Sequence, residues 1–157
     1  MLAIYTLIHL AISLIGIGTG FVVLAGLLKG QRLDVWTKVF LWTTVLTSVT
    51  GFGFPVNHVT PGHVFGVVSL VLLAIAIVAR YRRKLAGGWR PTYVITAMMA
   101  QYLNVFVLVV QSFQKVPTLH ALAPTQSEAP FAVTQIVVLV SFVALIARAV
   151  LRSRELA

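Results

Sequence analysis

LAIYTLIHLAISLIGIGTGFVVLAGLL, running from Leu2 to Leu28, contains no Asp, Glu, Lys or Arg. About 20 consecutive apolar residues suffice to carry a helix across the hydrocarbon core of a bilayer, so this stretch predicts a membrane span. It is too long for a signal-peptide core, and its basic flank (Lys29, Arg32) follows it instead of preceding it. The segment is therefore expected to stay in the membrane. Four further apolar runs follow. With the first, they place spans at about 2–28, 35–54, 63–80, 91–113 and 130–150. The expected fold class is all-α: residues 1–157 form one transmembrane domain of five helices. Composition agrees. Of the 157 residues, 59% are hydrophobic and only 10% charged, with a mean hydropathy of +0.99. A soluble domain of this size cannot hide so much apolar surface.

The net charge of +9 raises the question of a nucleic-acid partner, and the positions of the basic residues answer it. Lys29, Arg32 and Lys38 follow the first span. Arg80, Arg82, Arg83, Lys84 and Arg90 surround the third connection, and Arg148, Arg152 and Arg154 end the fifth span. Every Lys and Arg except Lys115 thus falls on one side of a five-span bundle. Cytoplasmic loops retain Lys and Arg, which predicts an outside N-terminus, an inside C-terminus and the bilayer itself as partner, not nucleic acid. Trp36, Tyr81, Trp89 and Tyr93 lie near the same boundary and are read as rings at headgroup depth.

In lipid, helices associate through close contact of small residues. Gly16 and Gly20 in the first span, and Gly62 and Gly66 in the third, are read as packing faces. GIGTG (16–20) has neither the spacing nor the preceding strand of a nucleotide loop. Within TSVTGFGFPVNHVTPGH (47–63), Pro55 and Pro61 end one helix and begin the next, with Thr60 as the expected cap.

Polar side chains at bilayer depth cost free energy unless they find partners or water. Gln101, Asn104, Gln111 and Lys115 recur on one face of the fourth span, directed at other helices or a wet cavity. All four histidines, His9, His58, His63 and His120, fall on the side away from the basic loops, and Gln135 enters the fifth span from there. The expected ligand-binding residues are His9, His63, Asn104, Gln111 and Gln135. The histidines are also the metal candidates, with Glu128 a further donor. Haem b held by two histidines is one expectation for the cofactor. His9, however, lies some seven residues deeper in its span than His63, roughly 10 Å by helical rise. A pocket for a small amphipathic molecule such as a quinone or lipid, or for a helix of another subunit, is the broader one.

There are no cysteines, which removes disulfides and thiol chemistry. No acidic residue lies inside a span, unlike proton pumps and ion-coupled transporters. No Asp accompanies the outer hydroxyls and histidines and there is no nucleophile-elbow motif, so a non-enzymatic accessory subunit or binder is expected. The segments LTSVTGFGFP (46–55), YLNVFVLVVQSFQKVP (102–117) and LAPTQSEAPF (122–131) resemble a group of small bacterial multi-pass membrane proteins of unknown function. That resemblance implies an inner-membrane location and carries no residue roles.

Overall fold

Long apolar runs bounded by Gly, Pro and charged residues become six helices in the computed structural model, which describes residues 1–55 and 61–155. They are α1 (Leu2–Leu28), α2 (Asp34–Gly51), α3 (Pro61–Ile77, extended by a π turn over Val78–Arg82), α4 (Trp89–Lys115), the short α5 (Pro117–Leu122) and α6 (Ala129–Glu155). The chain is 84% helical, with no strand among the described residues. Four helices are long and apolar enough to cross a membrane: α1, α3 with its π turn, α4 and α6. The bundle has the dimensions and surface of a membrane protein.

Helix α2 has 18 residues and is less apolar than those four, and its burial pattern shows why. Thr37, Thr44 and Ser48 turn inward, whereas Val35, Trp36, Val39, Trp42, Leu46 and Val49 are exposed. The hydroxyls of Thr43, Ser48 and Thr50 donate to carbonyls four residues back in their own helix, so these three are satisfied locally. The outer face is apolar, and the inner face mixes the hydroxyls of Thr37, Thr44 and Ser48 with Phe40 and Leu41.

Turns set the path. Helix α1 closes with Gly30 at φ +70°, Gly30 N–H donating to Leu27 O and Gln31 N–H to Gly26 O, a Schellman closure in which glycine takes the left-handed position at no steric cost. The chain then reverses, and α2 runs back along the whole of α1. Tyr5 and His9 reach Thr50, Gly16 lies against Thr43 and Thr44, and Gly26 against Leu33. Helix α4 is central and touches every other helix, while α6 packs on α4 and α1 and leaves a broad apolar face outside. The five apolar runs of the sequence fall on helices α1, α2, α3, α4 and α6, of which all but α2 are long and apolar enough to cross a membrane. The connection expected at 114–129 also folds α5 within it, with Pro117 in its first turn.

Packing density is uneven. Val23, Phe40, Leu41, Leu73, Tyr93 and Met98 belong to one closed core in the half of the bundle that carries the basic loops. Toward the other end the described residues form a much smaller buried cluster, Ile17, Val105 and Phe142.

Two expectations at the basic end are corrected. Tyr93 is not a headgroup-level ring: it is only 1% exposed, packed in the core. Arg80 is not a loop anchor. The π turn keeps it in the bundle, 8% exposed, ion-paired to Asp34 and with its guanidinium 5.3 Å from the Tyr93 ring centre. The expected cap Thr60 and the histidine His58 lie outside the described residues. Pro61 does open α3.

Candidate functional site

Where the core thins, α1, α2, α3 and α4 part around a cavity of about 570 Å³. Its lining on α4 runs from Leu103 to Val116, about 20 Å of helical rise, so the space is long and narrow. Leu10, Leu14, Ile17, Phe65 and Val107 give it apolar walls.

His9 enters from α1. Its Nδ1 lies 2.8 Å from Thr50 Oγ1, and its ring meets Phe54 edge-on at 5.1 Å. The Thr50 hydroxyl also lies 2.7 Å from Leu46 O, to which it can donate while accepting from His9 Nδ1–H. In the tautomer with the proton on Nδ1, Nε2 keeps its lone pair and can serve as an acceptor or metal ligand. Backbone closeness makes this arrangement accessible, since Gly51 passes near the His9 ring.

His63 stands at the start of α3, its ring 5.5 Å from that of Phe52, and lines the same cavity. The depth difference of roughly 10 Å expected from the sequence shrinks in the structure. His9 is level with Thr50 and Phe54, and His63 with Phe52, within about a turn of α2. The reason is that α1 extends past the end of α2, where Tyr5 donates to Thr50 O and covers Gly53.

The polar face of α4 divides by depth. Gln101 lies below the cavity, 0% exposed, with Nε2 donating to Ile17 O at 2.8 Å. Asn104 donates to Thr44 Oγ1 at 3.3 Å and also lines the cavity, followed along the same helix by Gln111 and Lys115. Two hydroxyls join them, of which Ser69 was not expected from the sequence. Thr47 Oγ1 and Ser69 Oγ are buried, have no hydrogen-bond partner among the described residues, and belong to cavity-lining residues. Ser69 is 4% exposed. Its one signal in the sequence is its place after Gly62 and Gly66 on the same face of α3, a line read as helix packing. In the structure Gly62 borders the cavity, and Gly66 takes the Phe52 ring, which a Cβ there would meet at 3.0 Å.

The structure thus brings His9, His63, Asn104 and Gln111 to one cavity. It does not bring Gln135 there: on α6, Gln135 Nε2 donates to Phe106 O at 3.2 Å and ties α6 to α4. His120, on α5, is exposed and outside the cavity lining. No group of three metal-ligating side chains occurs among the described residues. Glu128 is engaged elsewhere. Desolvation pushes its carboxyl up, but hydrogen bonds from the Thr125 hydroxyl and the Thr125 and Ser127 amides outweigh that and hold it below the usual carboxylate range.

The arrangement offers hydrogen-bonding side chains (Gln111, Lys115, Ser69, Thr47) and the His9 imidazole along an apolar channel. No family model, no curated protein and no solved structure matches the chain.

Proposed function

We propose that the chain is a five-span protein of a bacterial inner membrane, with its N-terminus outside and C-terminus inside. In this reading it is a non-enzymatic binder of a small amphipathic molecule, serving alone or as the accessory subunit of a membrane complex. Support for the fifth span comes from α2, which accompanies α1 from Tyr5 to Gly26 and must cross wherever α1 does. Support for the orientation is the gathering of the basic connections at the Arg80 end. A reporter fused after Ala157 is expected to behave as cytoplasmic, and extracytoplasmic behaviour would overturn the orientation.

The observation that carries the binding reading is the unpartnered Ser69 hydroxyl in a long apolar cavity. A buried hydroxyl without a partner costs about 1–3 kcal/mol, and an occupant bearing a carbonyl or hydroxyl relieves that cost. The long shape suits a chain or an isoprenoid tail, with its polar head near His9, Gln111 and Lys115. Protein purified in mild detergent is expected to release such a molecule on solvent extraction, detected by mass spectrometry. Ser69→Leu, which fills the channel, is expected to reduce its recovery at least tenfold. Equal recovery from the variant, or extracts containing no amphipath beyond those of an unrelated membrane protein, would refute the reading.

A second reading, haem b or quinone linked electron transfer, is favoured by one finding: His9 and His63 share the cavity at nearly the same depth. A reduced-minus-oxidised spectrum separates the two haem outcomes. A Soret band lost in both His9→Ala and His63→Ala supports the haem, and its absence after expression with added haem removes it.

A further inference from the structure

The closed half of the bundle holds a second, smaller pocket of about 140 Å³, formed where the C-terminal ends of α1 and α6, the π turn of α3 and the N-terminal ends of α2 and α4 meet. Three arginines, Arg32, Arg80 and Arg90, line it, together with Thr37, Tyr93 and Ser153, and none of its lining residues is acidic. The arginines come from two connections, Arg32 from the one between α1 and α2, and Arg80 and Arg90 from either side of the one between α3 and α4. Arg32 follows the Schellman turn of α1, Arg80 is held inward by the π turn, and Arg90 opens α4, where it donates to Ser153 O of α6 at 3.4 Å.

Two features separate this place from an ordinary basic surface. Arg80 is fixed before any ligand arrives, its guanidinium held by Asp34 and the Tyr93 ring, so little side-chain entropy remains to be lost. Tyr93 is the second. Its hydroxyl sits beside Thr37 and Arg80 but within hydrogen-bond geometry of neither, at a residue almost wholly buried and lining the pocket. A buried phenol beside the Arg80 guanidinium, in a pocket that Arg32 and Arg90 also line, suits an acceptor that carries negative charge.

We propose that this pocket binds a phosphate group, presented either by the head of an anionic phospholipid or by a free phosphate anion. Guanidiniums recognise phosphate in a fork-like, charge-assisted geometry. The pocket is large enough for the phosphate and too small for a whole lipid, whose chains would run outside along the bundle. The site is independent of the cavity near His9: it lies in the opposite half and shares no lining residue with it.

The test uses the full chain in dodecyl maltoside, with thermal melting and native mass spectrometry as readouts. The probes are phosphatidylglycerol, phosphatidylcholine and inorganic phosphate. Retention and stabilisation by phosphatidylglycerol above phosphatidylcholine supports the lipid source. Stabilisation by inorganic phosphate at equal ionic strength, with no preference for phosphatidylglycerol, supports the free anion. Arg32 is exposed, so Arg32→Gln folds and is expected to weaken binding about tenfold. Tyr93→Phe is the sharper variant: it deletes an unpaired hydroxyl, so the ligand-free protein melts at the same or a higher temperature while binding weakens at least about threefold. No stabilisation by any of the three probes would overturn the proposal, as would unchanged binding in both variants.

Discussion

Gly20→Leu is expected to cost the bundle about 3 kcal/mol or more, read as a large fall in melting temperature in detergent or as failure to assemble. Gly20 of α1 lies directly against the side chain of Gln101 on α4, so closely that even a Cβ would overlap the amide. Gln101 cannot move aside cheaply. It is fully buried, and its Nε2 is hydrogen bonded to Ile17 O one turn away on α1. Displacing it breaks that bond and leaves a second amide atom unpaired beside Oε1, which already has no partner among the described residues. Gly20→Ala meets the same overlap and is expected to cost about 1–3 kcal/mol. Gly18 supplies the control: a Cβ there meets nothing within 4 Å, so Gly18→Ala should be neutral or slightly stabilising through helix propensity. A Gly20→Leu protein that melts with Gly18→Ala would contradict the contact.

The other large effect is expected at Asp34. Its carboxylate faces water, while the partner Arg80 has a side chain only 7% exposed. Removing Asp34 leaves a buried guanidinium with tyrosine faces but no counter-charge. Breaking a fully buried pair costs about 3–5 kcal/mol, and the exposure of Asp34 lowers the expectation to about 2–3 kcal/mol. Asp34 also lies in the first turn of α2, where a negative charge is favourable to the helix dipole. Asp34→Ala should therefore be clearly destabilising and Asp34→Glu much less so. In the double variant with Arg80→Met, no unpaired charge remains, and part of the loss should return. A double variant no more stable than Asp34→Ala would show that the ion pair is not the source of the effect.

Much of this architecture could be read from the chain because its physics is local. The five long helices follow from apolar runs interrupted at Gly30, Pro55, Pro61 and the RYRRK cluster, and the polar face of α4 follows from spacing alone. Gathering His9, His63, Asn104 and Gln111 followed from the same spacing and from placing the histidines on one side. What eluded sequence reasoning depended on partners distant in the chain. Gln135 satisfies a carbonyl of α4, and nothing in the periodicity of α6 distinguishes that from facing a cavity. Arg80 and Tyr93 look like interfacial residues by type and position. Only the π turn, which rotates Arg80 inward over Asp34 and Tyr93, makes them internal. Ser69 resembled one more small residue in a packing line, because whether a small residue faces a neighbour or a void depends on the neighbour.

The contrast between a filled half and a hollow half has a mechanical consequence. Compressing a protein removes internal void, and in this one the cavity of about 570 Å³ lies toward the His63 end, against about 140 Å³ for the pocket at the other. The ends of α1, α3 and α4 around His9 and Lys115 are therefore the soft part, able to close by small tilts. The Phe40–Tyr93–Met98 region forms a rigid base about which such tilts would pivot. An empty cavity yields under hydrostatic pressure and an occupied one resists it, so occupancy at one end sets the stiffness of the bundle while the other end stays unchanged.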